Sequence, residues 1–171
     1  MTLEELYKEL KKRPERFDRV YLHWTAGDYD SIFDDYHLSI TGDGHLINNL
    51  SLDAPPAATW HRNNRSIAIA LCCAKGATLY SSHTDFGDYP PTEAQVECLA
   101  QVVATISNAT ALPIIKGLFM THAEIAEIDE YGPTTTCERW DLWTLPQSEE
   151  WGSGGDYIRG KALWYQKQWG E

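Results

Sequence analysis

Ser66-Ile67-Ala68-Ile69-Ala70-Leu71-Cys72-Cys73 is an unbroken run of small and branched apolar side chains without a single charge. A strand with one wet face alternates polar and apolar residues. A run this continuous is the pattern of a central strand, buried on both faces. Further strands stand on either side of it in the chain. Upstream, Arg19-Val20-Tyr21-Leu22-His23-Trp24 predicts a strand over Val20 to His23. Tyr36 to Ile40, the turn Thr41-Gly42-Asp43-Gly44, and His45 to Ile47 predict a hairpin with a Gly-rich turn. Downstream, Ile114 to Met120 predicts a strand that leads into Thr121-His122.

Helices separate these strands. Thr2 and Glu5 have the spacing of a capping box, with Leu3, Leu6, Tyr7 and Leu10 on one face and Pro14 as the stop. Thr92 and Gln95 repeat that signal and open a helix to about Asn108, with Val96, Leu99, Ala100, Val103 and Ile106 as its buried stripe. A short helix is expected over Ala123 to Ile128 and a last one over Asp156 to Trp169, after the Gly/Ser-rich Ser148 to Gly155. The stretches 25–35, 53–58, 80–91 and 129–136 read as loops. Strands and helices alternate without repeats, so the class is α/β or α+β around one sheet. At 171 residues, without a linker, the chain reads as one domain over 1–171.

Composition narrows the function. A net charge of -11, with only 14 Lys and Arg, argues against nucleic acid and anionic membrane surfaces as partners. No stretch approaches the roughly 18 apolar residues of a membrane span. The charged segment from Thr2 to Phe17 lacks the apolar core of a secretory signal, so synthesis in the cytoplasm is expected. A substrate outside the membrane would then need another agent to deliver the enzyme. Cys72, Cys73, Cys98 and Cys137 contain no CxxC pair and read as free thiols in a reducing compartment. Seven Trp and nine Tyr serve either a large core or a groove that stacks on sugars.

His23 and His122 each stand where a strand runs into a loop or short helix, the junction at which sites are built. They form a candidate metal pair, and a catalytic zinc needs a third protein ligand and an open position for water. Asp141 lies between Trp140 and Leu142-Trp143. A carboxylate among bulky apolar groups calls for a cation or a metal as partner. A salt bridge to Arg139 answers that need as well as a metal does.

Taken in order, six segments carry a resemblance: His23-Trp24-Thr25-Ala26-Gly27; Tyr36 to Ile40 with Gly42-Asp43-Gly44; Trp60-His61 with Asn64 to Ile69; Thr121 to Ala126; Tyr131-Gly132-Pro133; and Arg139-Trp140-Asp141-Leu142-Trp143. Together, from about Val20 to Leu145, they resemble the zinc-dependent N-acetylmuramoyl-L-alanine amidases, the superfamily that also holds phage amidase lysozymes and peptidoglycan recognition proteins. The resemblance implies a mixed central β-sheet flanked by helices, with zinc in a surface groove. It implies a core of about 18–146 with the C-terminal helix 156–169 beyond it.

It further implies His23 and His122 as zinc ligands, with Asp141 as third ligand and Cys137, then Asp129, as the alternatives. In such enzymes a Tyr on the second strand or a Glu on the central strand assists the water. Tyr36 matches the former, and Ala70 stands where the latter would be. Glu124 is the remaining carboxylate considered for that role. Arg139 takes the place of a Lys two residues before the third ligand, and can bind an oxyanion but not deliver a proton. Thr25, Trp60, His61 and Asn64 are expected to face the substrate, and His37 to be structural. The activity implied is hydrolysis of the amide between N-acetylmuramic acid and L-alanine of peptidoglycan. A phage or prophage endolysin, a cytoplasmic amidase recycling muropeptides, an injected antibacterial effector and a recognition module that binds without cutting all suit such a chain. A monomer is expected.

Overall fold

The computed structural model describes residues 1–170. Its main sheet has five strands in the order β3-β2-β4-β1-β7. They are β1 (Arg19–Trp24), β2 (Leu38–Ile40), β3 (Leu46–Asn48), β4 (Ser66–Leu71) and β7 (Phe119–Thr121). β4 lies between β2 and β1 and is parallel to both, as its continuous apolar run requires. β7 adds parallel to β1, and β3 closes the other edge antiparallel to β2, so the sheet is mixed. A small separate hairpin, β5 (Thr78–Leu79) with β6 (Thr84–Asp85), runs into the stretch expected to be loop.

Alternation along the strands divides the sheet into two unlike faces. Val20, Leu22, Trp24, Leu38, Ile40, Ile67, Ile69, Leu71 and Phe119 belong to the main apolar core. Three helices pack with this core: α1 (Leu3–Lys11), α2 (Glu93–Thr110) and α4 (Gly154–Trp169), with α2 in the middle touching both others. The alternate residues are Tyr21, His23, Ser39, Ala68, Ala70 and Met120. Tyr21 and Met120 pack with Ile125 of the short helix α3 (His122–Ile128) in a second, smaller cluster. Small side chains in the middle of this face leave room for a site beside His23.

Both expected capping boxes are present, Thr2 with Glu5 and Thr92 with Gln95. The buried Gln95 does more than cap. Its amide nitrogen donates to the carbonyls of Ile40 and Cys72, tying α2 to the ends of β2 and β4.

Three expectations are corrected. The strand expected over Ile114 to Met120 is only Phe119–Thr121, because the amides of Leu118 and Phe119 turn back to the carbonyl of Ile115. An apolar run alone does not distinguish such a turn from a strand. Tyr36 precedes β2 rather than lying in it. His122 is the first residue of α3, whose N-cap is Thr121, and not the residue before the helix.

Candidate metal centre

β1 and β7 are neighbours in register, with Leu22 opposite Thr121. The next residue in each case is a histidine, His23 still within β1 and His122 opening α3 directly after β7, so the pairing of the two strands brings the two histidines side by side. Their Nδ1 atoms are 3.1 Å apart, and Asp141 Oδ2 lies 3.7 Å from the first and 3.5 Å from the second. All three side chains are buried. Asp141 is fixed by the Trp24 amide, which donates to Oδ2 at 3.3 Å. The segment carrying Asp141 is docked on α3 through the amide of Ala123, which donates to its carbonyl.

The electrostatics follow from burial and from this proximity. Burial, reinforced by the neighbouring His122, lowers the pKa of His23 to about 4, so its ring is neutral at ordinary pH. Burial pushes the Asp141 carboxyl up, but the His122 and His23 rings outweigh it and hold it well below the usual carboxylate range. Two imidazole lone pairs facing each other at 3.1 Å repel unless a proton or a cation lies between them. A tetrahedral zinc with ligands at 2.0–2.2 Å sets neighbouring ligand atoms about 3.3–3.6 Å apart. The observed separations straddle that span. Two imidazole nitrogens and one carboxylate oxygen are also a donor set that zinc accepts. The three residues therefore fit a divalent cation, and they are the one such group among the described residues.

The alternatives of the same loop lie elsewhere. Cys137 is exposed, in a left-handed turn. Asp129 is engaged by both Nε and Nη2 of Arg62 at 2.7 Å.

Two clefts, of about 780 and 480 Å³, meet at this cluster and share His122, Glu138, Arg139, Ala57 and Ala58. The larger is walled by Trp60, Asn63, Asp129 and Tyr131. The smaller is walled by Thr25, Asp35, Tyr36, Trp140 and Asp141. Trp60 is 63% exposed, a flat apolar platform on the rim. The Tyr36 ring stands 5.2 Å from that of His23. Burial, then the charges of Asp141 and Asp35, push its hydroxyl pKa well above the usual range, so it keeps its proton.

Three expected site residues are placed elsewhere. Glu124 does not reach the cluster. Its carboxylate accepts the Thr121 amide as the reciprocal half of a third capping box, and is gripped by Arg159 through two bonds of 2.8 Å. The pattern Thr121-x-x-Glu124 is the signal already used for α1 and α2, and it identifies this role in the sequence. Asn64 faces a different cavity, at the start of β4 near Phe17 and Leu52. Its neighbour Asn63 lines the cleft instead, with Oδ1 accepting the amides of Ala58 and Thr59. His61 stacks on Trp60 with ring centroids 3.8 Å apart and does not line the clefts. His37 is structural, as expected: Nδ1 accepts the Ala68 amide and Nε2 donates to the Ala54 carbonyl. Thr59, Asn63, Asp35 and Glu138 line the clefts without any spacing in the sequence that marks them, because loops bring them in, and Tyr131 lies within a segment of the resemblance that implied no role for it.

A mixed sheet of this order with a buried His-His-carboxylate set at the floor of a cleft is the frame of an α/β protein with a candidate metal site. The profile of the family described as N-acetylmuramoyl-L-alanine amidase matches residues 13–140. The chain belongs to that family, and is an amidase of peptidoglycan. Asp141 falls one residue beyond the matched span. The fold is similar to that of the Ph2119 endolysin from Thermus scotoductus MAT2119 bacteriophage Ph2119 (TM-score 0.53, 18% identity, covering 85% of this chain and 84% of that one). It is also similar to the endolysin N-acetylmuramoyl-L-alanine amidase LysCS from Clostridium intestinale URNW (TM-score 0.54, 14% identity, covering 86% of each chain). At these identities the likeness is one of fold. No curated protein sequence matches the chain.

Proposed function

We propose that this amidase is zinc-dependent, that His23, His122 and Asp141 hold the metal, and that it cleaves the bond between the lactyl group of N-acetylmuramic acid and L-alanine. The observation that carries this is the convergence of two Nδ1 atoms and one carboxylate oxygen, all buried, where two clefts meet. When bound there, zinc would polarise the scissile carbonyl and lower the pKa of a bound water.

The residues divide the remaining work. Asp141, held anionic and anchored by the Trp24 amide, fixes the charge of the centre. Tyr36 keeps its proton, so it acts as a hydrogen-bond donor to the oxygen that becomes negative, not as a base. Arg139 lines both clefts and adds a fixed positive charge to the same end, without giving up a proton. Glu138, which also lines both clefts, takes the proton-accepting place that Glu124 cannot fill. Trp60 offers a stacking face to a sugar ring, and Thr25 lines the opposite cleft. In this reading the amidase unit runs over 1–171 as a monomer, with α4 packed on α2 as part of the same body.

Both structural neighbours described above are endolysins, which supports a lytic role for this amidase. No helix among the described residues is long and apolar enough to cross a membrane.

The test is a digest of purified peptidoglycan with and without a zinc chelator, read by mass spectrometry. Free stem peptides that begin with L-alanine, released only when zinc is present, are expected. Cuts elsewhere in the stem would replace the proposed bond. Intact material in both arms would favour a module that binds without cutting.

A further inference from the structure

The two ligand histidines are held from behind by neutral hydroxyls. His23 Nε2 lies 3.3 Å from Thr59 Oγ1, and His122 Nε2 lies 3.3 Å from the Tyr131 hydroxyl. An imidazole has one nitrogen that donates and one that accepts, and the partner of the first decides where the lone pair of the second points. His37 shows the contrary arrangement in the same molecule. Both of its nitrogens are spent on the backbone, and none is left for a ligand. In His23 and His122 only Nε2 is engaged on the protein side, and both Nδ1 atoms face Asp141.

We propose that Thr59 and Tyr131 are positioning residues of the metal centre: each accepts the Nε2–H of one histidine and so aims its Nδ1 lone pair at the metal. This rests on the zinc reading above.

Both hydroxyls sit on braced backbone. The Thr59 amide donates to Asn63 Oδ1. The Tyr131 amide donates to the Ala126 carbonyl of α3, and the Tyr131 carbonyl accepts the amides of Glu138 and Arg139. Tyr131 therefore sets the ring of His122 and the path of the Arg139 loop together. Each hydroxyl sits against Nε2, the ring nitrogen other than the Nδ1 that faces Asp141, which makes it a partner of the histidine.

The test is zinc affinity, measured by competition with a chromogenic chelator, for the wild type, Thr59→Val, Thr59→Ser and Tyr131→Phe. Thr59→Val and Tyr131→Phe are expected to bind zinc about 10- to 100-fold more weakly, the usual effect of losing such an outer partner. Thr59→Ser, which keeps the hydroxyl, is expected to bind as the wild type does. Unchanged affinity in both Thr59→Val and Tyr131→Phe would overturn the inference while leaving the zinc site standing. Equal losses in Thr59→Val and Thr59→Ser would assign the effect to packing and overturn the role of the Thr59 hydroxyl. A wild type that binds no zinc would instead overturn the underlying reading.

Discussion

Asp141 carries an unusual burden for an acidic residue: it is buried against two histidines, and one backbone amide donates to it there. Removing it leaves two imidazole nitrogens, too few for a three-ligand set. Asp141→Ala is expected to abolish stoichiometric zinc binding and to lower turnover by orders of magnitude, whereas Cys137→Ser retains both. Elemental analysis of the purified variants reads this directly, and metal loss in Cys137→Ser would move the ligand to the thiol. Tyr36→Phe keeps the ring against His23 and removes only the donor. Turnover should fall about 100-fold or more, the usual cost of one oxyanion donor, with the melting temperature nearly unchanged. Wild-type rates in that variant would remove Tyr36 from the chemistry.

The buried histidines also set an acid limit on stability. Burial lowers the pKa of His37 below its ordinary 6.5 and that of His23 to about 4. In the unfolded chain both take up protons near 6.5. Between that value and the folded one the unfolded state binds more protons. Their contribution is therefore complete above about 6.5 and is lost as the pH falls, by up to about 1.4 kcal/mol per pH unit for each group. Denaturant titrations in chelator at several pH values between 7.5 and 4.5 should show this decline. His37→Gln should make it shallower, and a slope unchanged by that substitution would exclude His37 as a contributor.

Among the α-helices, α3 is the shortest, about two turns, with His122 at its first position. Its N-terminus is secured from α4. Arg159 donates to both oxygens of Glu124 and to the Phe119 carbonyl, and Glu124 in turn receives the Thr121 amide. Gly155 is where this close approach demands a glycine, because a Cβ there would lie 2.2 Å from Glu124 Oε1. Replacing Arg159 with Met strands a buried carboxylate, a change that costs about 3–5 kcal/mol. The double change Arg159→Met with Glu124→Gln should recover part of that loss. Thermal unfolding of the three proteins measures it, and a single variant as stable as the wild type would show that the ion pair does not brace α3.

Seen as a whole, the molecule joins its site to its stability. The proposed metal ligands come from β1, from the start of α3 and from the segment before α4, three places far apart in the chain. A cation bound to all three would be bound to the folded state alone. Stripping zinc is therefore expected to lower the melting temperature in one cooperative transition. Zinc at 1,000 times its dissociation constant would stabilise by about 4 kcal/mol. An identical melting curve with and without chelator would show that the centre does not bind metal in the folded protein.

Much of this was open to the eye in the sequence. The run from Ser66 to Leu71 had to be a central strand, because no other packing removes its five consecutive apolar side chains, Ile67 to Leu71, from water on both faces. The capping pairs placed α1 and α2 because their chemistry is local, a hydroxyl and a side chain three residues on. His23, His122, Tyr36 and Asp141 could be proposed from strand ends, an aromatic setting and a family resemblance. What the chain alone left open was every contact whose geometry depends on two distant segments. The placing of Asp141, and not Cys137, beside the two histidines follows from how the loop after Tyr131 turns, and the diversion of Glu124 follows from Arg159 arriving on α4 from 35 residues away. Thr59 and Tyr131 became visible only because parallel pairing of β1 with β7 aligned the two histidines and loops then closed behind them. Local propensity and hydrophobic pattern are written along a sequence, while the aim of a lone pair is set by whatever side chain folding brings to the other nitrogen.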